Sequence, residues 1–432
     1  MLKGVLLVAV LVFSISAGAS EIPGAPVYVF TSAPRYDPAA WTEGRDRFPS
    51  GASLVLVAGR ARRALAPDLA ASADAAVSFD GMRILFAAKR TPSNHWAIFE
   101  TTVTPGPVRQ ITSGDFDCIR PLYLPDGGVA YTRVSAGASD VEVVPLDGGQ
   151  PARLTFAPGR YLTSDVLRDG RILFETAGEI FTVYPDGTGV ESLRCDHGPI
   201  RSAARQLSSG DVIFSVAGRL ARFTSARAEQ LDDVPQPDLQ AAGPVAEFSA
   251  GTWIVPLKRK PAGTVGLFLW TLSSRQVLEL EAPAGSNAVE PAVIAARPAP
   301  RQFPSALVPT RATGNLLCLN VHTAKTPLPT DVSTVRVYSQ DSASQAVLLG
   351  QAPVERDGSF YVEVPADRPL RIELLDASGS TARAEHGWFW MRPSEQRVCV
   401  GCHAGPQRAP ENKVPEILLR TTKPEKLLGL KP

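Results

Sequence analysis

A chain of 432 residues, with a formal charge of +1, 44% hydrophobic residues and 20% charged ones, has room for two or three domains and is too apolar to be a disordered polymer. So small a net charge gives no electrostatic basis for binding nucleic acid or an anionic membrane surface. No stretch after the first residues approaches the ~18 uninterrupted apolar residues of a membrane helix, so the mature chain is expected to lack a span.

The N-terminus reads as a targeting segment. Lys3 supplies the positive region, Val5 to Ile15 the apolar run, and Ala17-Gly18-Ala19 the small residues before a cleavage site. A secretory signal over 1–19 is therefore expected, cleaved after Ala19, which places the protein in the periplasm or otherwise outside the cytoplasm.

From 25 to 295 short apolar runs recur behind turn signals. Asp80-Gly81, Asp126-Gly127, Asp169-Gly170 and Ser209-Gly210 each precede a strand, such as Ile84-Leu85-Phe86 or Ile172-Leu173-Phe174. Ala250-Gly251 before Trp253-Ile254-Val255 continues the series, and Ser50-Gly51 before Leu54-Val55-Leu56 begins it. A period of about 40 to 46 residues with several strands per unit is the signature of β-propeller blades, so roughly six blades are expected. The pattern resembles the exported repeats of TolB-like proteins. Val27-Tyr28-Val29-Phe30 is expected to complete the last blade.

The Asp-Gly pairs, among them Asp186-Gly187, suit tight hairpins, because Gly adopts positive φ and Asp bonds to its own turn. A calcium or sugar site is the alternative reading. Cys118 and Cys195 fall in consecutive units at different offsets from the turn, so buried free thiols are favoured over a disulfide.

Prolines crowd the stretch 296–312, which reads as a linker because Pro cannot donate to a sheet. Beyond it, Leu316–Val321, Val335–Tyr338, Phe360–Val364 and Leu370–Leu374 read as strands of a small β-sandwich over 313–403. Trp388 and Trp390 fit either a wall against a cofactor or an aromatic core. The stretch 404–432 is polar and proline-rich, and is expected to be an irregular tail wrapping the surface.

The second domain runs into Cys399-Val400-Gly401-Cys402-His403, the C-x-x-C-H signature of c-type haem attachment. Cys399 and Cys402 are spaced to bond two vinyl groups of one porphyrin, and His403 then ligates the iron. Zinc, or a structural or redox thiol pair, is the alternative. No Met, His or Tyr follows His403, so a sixth ligand would come from upstream: His386 or Met391 first, then His322, His95, His197 and Met82. An open sixth position is the other possibility. Two strong axial ligands suit electron transfer, and an open iron suits binding a small molecule. Phosphate-loop, dinucleotide, H-E-x-x-H and G-x-S-x-G motifs are absent from the sequence.

The order of these parts, the run Val354–Asp367, Arg392-Pro393-Ser394-Glu395 and the haem motif together resemble the hydrazine synthase alpha subunit family, most specifically from Gly314 to His403. The resemblance implies one covalent haem c in a middle domain packed beside a propeller, and redox chemistry of small molecules. It also implies a further C-terminal haem domain, for which this sequence is too short. The family's axial Tyr, four residues after the motif His, is matched here by Gln407, which removes tyrosinate ligation. The expected fold is thus all-β: a roughly six-bladed propeller followed by a small sandwich with a C-terminal haem-c motif. The expected function is electron transfer, or service as a subunit of a small-molecule oxidoreductase with a redox partner protein. A propeller binding module with a sensory or structural haem is the alternative.

Overall fold

The computed structural model describes residues 25–429 except 136, 195–197, 225–231, 235–238, 259–262, 283–284, 325, 329–330 and 403–410. The signal-sequence reading over 1–19, His403, Gln407, His197 and the Cys195 half of the disulfide question lie outside the described residues. Cys118 is buried with its thiol free.

The chain is all-β apart from two short helical turns among the described residues, Ala40–Glu43 and Glu416–Arg420. Six small antiparallel sheets follow one another between Val27 and Val293. The second is typical, built from Ala71–Val77, Arg83–Lys89, Ala97–Thr102 and Arg109–Gln110 in chain order. While Leu54-Val55-Leu56 lies third in the pairing order of the first sheet, the apolar runs behind the turns at 80, 126, 169 and 209 form the second strand of their sheets. Phe86, Phe174 and Phe214 are fully enclosed there, because a neighbouring sheet covers each face. That two-sided burial explains why these runs are continuous rather than alternating, and each enclosed Phe contributes about 2 kcal/mol.

The first sheet is the exception. Val27–Ala33 pairs with Ser53–Ala58 on one side and with Asn287–Val293 on the other, Val29 lying opposite Ala292. The N-terminal strand and the last strand of the region therefore share one sheet. Tyr28, Phe30 and Val57 of this sheet pack in turn against Ile254 and Leu267 of the sixth.

The turns carry Asx geometry. Asp80, Asp126, Asp169 and Asp186 each accept, through Oδ1, the N–H two residues on. Several of these turns also seat the stretch 296–312, which is fastened to the sheets and does not hang free as a linker would. Arg297 N–H donates to the Phe79 carbonyl at 2.8 Å, Gln302 Nε2 to the Pro125 carbonyl at 3.0 Å, and Ser305 Oγ to Asp186 Oδ2 at 2.8 Å. Phe303 stacks on Tyr184 with ring centroids 3.8 Å apart.

Two four-stranded sheets follow. One orders Ala346–Pro353, Val332–Gln340, Leu370–Asp376 and Thr381–Ala384. The other orders Gln396–Cys399, Thr313–Cys318, Phe360–Pro365 and Glu425–Lys426. Their inner faces share one core containing Leu316, Val335, Val337, Val362, Leu374 and Met391. The stretch expected to be an irregular tail supplies the edge strand Glu425–Lys426 and the core residue Leu427, besides the helical turn at Glu416–Arg420.

Candidate thiol site and its docking to the sheets

The strand Gln396–Cys399 runs parallel to Thr313–Cys318, in a register that sets Cys399 beside Cys318. Alternation sends Leu316 and Cys318 to the same inner face, where Cys318 is buried. Cys399 and Cys402 are half-buried and pack against that same core. Cys318, Cys399 and Cys402 are thus three free thiols on one core. Cys318 is the member that sequence reasoning missed; its only signal was its place on an alternating apolar strand.

Gly401 is required between the two motif thiols. A Cβ there would lie 2.1 Å from the Thr323 carbonyl oxygen and 2.8 Å from that of Asn320, so the turn is pressed onto backbone that cannot yield. The motif is thereby held against the 320–323 loop, which fixes where both sulfurs emerge.

Burial sets the electrostatics. It pushes the Cys402 thiol up to about 12, with Glu385 adding to the rise and Arg383 opposing it by donating toward the sulfur. Burial also raises Cys399, against the pull of Arg397, and raises Cys318, whose next cause is the neighbouring Cys399. The two motif thiols, held by the Gly401 turn at the rim of one apolar core, form a donor set that two thioether bonds to one porphyrin would fit.

The proposed sixth ligands lie in different settings. Met391 is 0% exposed, and its side chain meets Gly314, where an added Cβ would sit 3.1 Å from the Met391 Cε. Gly314 is four strand residues, about 13 Å, from Cys318, so Met391 is a core residue distant from the thiols. His386 is exposed in the bend after Thr381–Ala384, next to the Glu385 whose charge reaches both motif thiols. His322 is exposed in the loop that backs Gly401. His95 pairs with Asp117, and Met82 is 59% exposed on the second sheet.

Trp390 belongs to neither a cofactor wall nor the sandwich core. It is 2% exposed within the core of the third and fourth sheets, edge-on to Tyr161 and Phe156. Its indole N–H donates to the Gly187 carbonyl at 3.0 Å. Arg392 Nε donates to the Asp186 carbonyl at 3.0 Å and its guanidinium pairs with Asp367 at 2.7 Å, while Glu395 Oε1 accepts the Gly189 N–H at 3.0 Å. The Asp186-Gly187 turn, expected as hairpin chemistry alone, is also the seat on which the sandwich docks. Trp388, by contrast, is half-buried under the Arg371 guanidinium.

Residues 319–404, which include Cys399 and Cys402 and begin just after Cys318, match the family model described as the hydrazine synthase alpha subunit middle domain. The thiol domain is similar to that middle domain. Hydrazine synthase subunit alpha of Kuenenia stuttgartiensis is 34% identical over 64 residues, 15% of this chain and 8% of the relative's length. The Kuenenia stuttgartiensis hydrazine synthase structure superposes with a TM-score of 0.78 at 17% identity, covering 91% of this chain and 71% of that one. TolB from Acinetobacter baumannii superposes at 0.49 and 16% identity, over 64% of this chain and 67% of that one. The chain thus has a partial relation to the hydrazine synthase alpha subunit and covers only a small part of that relative's length. Its fold over nearly its whole length is shared with the hydrazine synthase structure. Among the described residues no helix is long and apolar enough to cross a membrane, and no three His, Cys, Asp or Glu are grouped to hold a metal ion.

Proposed function

We propose that the protein is an exported monohaem c-type protein related to the hydrazine synthase alpha subunit. It acts in electron transfer or as one subunit of an oxidoreductase acting on small molecules. One observation carries the reading: Cys399 and Cys402 are free and half-buried against one apolar core, inside the stretch that matches the hydrazine synthase alpha subunit middle domain. His403 is the axial ligand in this reading, and His386 is preferred to Met391 as the sixth. The six sheets are read as a closed six-bladed propeller over 25–295, supported by the sheet shared between Val27–Ala33 and Asn287–Val293. The sandwich over 313–403 is the haem domain.

When bound, the haem supplies one-electron chemistry at iron. The chain's own residues set its surroundings: Cys399 and Cys402 anchor one edge, Gly401 holds the anchor against Asn320 and Thr323, and Arg383 and Glu385 place one charge of each sign beside the thiols. The test is a pyridine haemochrome spectrum of denatured protein purified from a host that attaches haem, with intact-mass measurement. A covalent c-type spectrum lost in Cys399→Ser and Cys402→Ser supports the proposal; a haem-free mass for the wild type would sink it.

A further inference from the structure

The inner strands of the second, third, fifth and first sheets each carry a bulge at which one residue takes a left-handed backbone: Asp74, Arg120, Ala203 and Glu290, with φ of 61°, 55°, 58° and 51°. Such positions cost about 1 to 3 kcal/mol each and aim a side chain that the regular pleat would turn away. Three of the four are charged and nearly fully buried.

Arg120, Ala203 and Glu290 line a cavity of about 540 Å³ between the inner strands, with Tyr36, Ser202 and Ser215 as further polar walls and Leu162, Val216 and Ile200 as apolar ones. Arg47 is fully engaged there, bidentate to Asp74 at 2.5 and 2.7 Å and paired with Glu290 Oε1 at 2.5 Å. Arg120 is not. Its guanidinium is 6% exposed, yet its side-chain contacts are only the Thr163 carbonyl and Glu290 Oε1, both at 3.4 Å. Arg205 stands near it and donates only to the carbonyl of its neighbour Ala204, at 3.3 Å. Burial and the charge of Arg120 together press Arg205 down to about 10, against the pull of Asp165, Glu290 and Glu175. Glu290 Oε2 is enclosed and turned away from the cavity's open space, and Glu175 is the second carboxylate of the lining.

We propose that this cavity is a binding site for a small carboxylate with an apolar tail, its carboxylate held by Arg120 and its tail laid along Leu162, Val216 and Ile200. A buried guanidinium with unfilled donors matches a carboxylate in geometry as well as charge. Burial raises Glu290, helped by Asp74 and opposed by Arg47 and Arg120, with Tyr36 and Arg205 also facing it. Glu290 Oε1 lies 3.4 Å from the Arg120 guanidinium, so ionisation of Glu290 sets a competing negative charge beside the group that holds the ligand, and binding weakens as pH rises.

The experiment is isothermal titration calorimetry of the full-length protein with hexanoate, and separately with hexylammonium, at about pH 6 and about pH 8. Saturable hexanoate binding is expected, weaker at the higher pH and weakened about tenfold or more in Arg120→Gln. Ile200→Trp, at a residue 76% exposed on the cavity wall, obstructs the tail without disturbing the core and should weaken binding as well. If Arg120→Gln does not fold, Ile200→Trp and the pH comparison decide. No hexanoate binding, binding indifferent to the variants that fold, or preference for hexylammonium would overturn the assignment.

Discussion

The indole N–H of Trp390 donates to the carbonyl oxygen of Gly187 at 3.0 Å, across 203 residues of sequence, with the ring enclosed by the third and fourth sheets. Through this side chain the thiol-bearing sandwich shares a core with the sheets. Trp390→Ala should cost about 3 to 5 kcal/mol, most of it as lost docking. The check is limited proteolysis with thermal unfolding: new cleavage within 296–312 and a separate low-temperature transition are expected, and a single unshifted transition would contradict the shared core.

Gly187 and Gly127 both have φ of 85°, which makes them a matched pair. A Cβ on Gly127 meets nothing within 4 Å, whereas one on Gly187 lies 2.9 Å from Arg392 Nε. Gly127→Ala should therefore show only the backbone penalty of about 1 kcal/mol, and Gly187→Ala should cost clearly more. Equal losses by chemical denaturation would mean that the turn does not bear the sandwich.

Glu290 and Asp74 pull stability in opposite directions with pH. Glu290 is raised by burial, so its contribution is full below its unfolded value of 4.5 and is lost as pH rises through its folded value. Asp74 is lowered, the attraction of Arg47 outweighing the cost of burial; its contribution is present above 3.8 and is lost as pH falls. Glu290→Gln should flatten the fall in Tm between about pH 5 and about pH 8 while leaving the acid limb in place. A Tm profile unchanged by the substitution would refute this assignment.

The thiols should differ in reactivity by access. In haem-free protein, alkylation followed by peptide mass spectrometry should label Cys402 and Cys399 well before Cys118 and Cys318, which are 1% and 3% exposed. With haem attached, only Cys118 and Cys318 should remain available among these four, and only after unfolding. Early labelling of Cys318 would place it outside the core that it shares with Leu316.

What could be read from the sequence was what is local. Ile84-Leu85-Phe86 and its counterparts announce strands buried on both faces, and the Asp-Gly turns repeat at blade spacing. The spacing of Cys399 and Cys402, and the proposal built on it, are legible within five residues. The Cys318–Cys399 neighbourhood was hidden because parallel pairing joins strands far apart in the chain. Trp390 was ambiguous between cofactor wall and core because a tryptophan's burial partner is decided by docking, not by its neighbours in sequence. The charged cluster beside the cavity was hidden for a related reason: Arg47, Asp74, Arg120 and Glu290 come from four separate stretches, and three of them sit at bulges.

The sheet shared by Val27–Ala33 and Asn287–Val293 also sets a timetable. Tyr36 and Glu290, bonded across that region, are 254 residues apart, so this closure is among the most distant contacts the chain must find. A chain emerging N-terminus first must keep Val27–Ala33 without one of its two partner strands while five further sheets form. An apolar strand in that condition is a template for pairing with another molecule. Folding yield should therefore depend on how that first strand is sheltered in the interval, and the thiol-bearing sandwich, docked on the fourth sheet, can be completed only after the interval has passed.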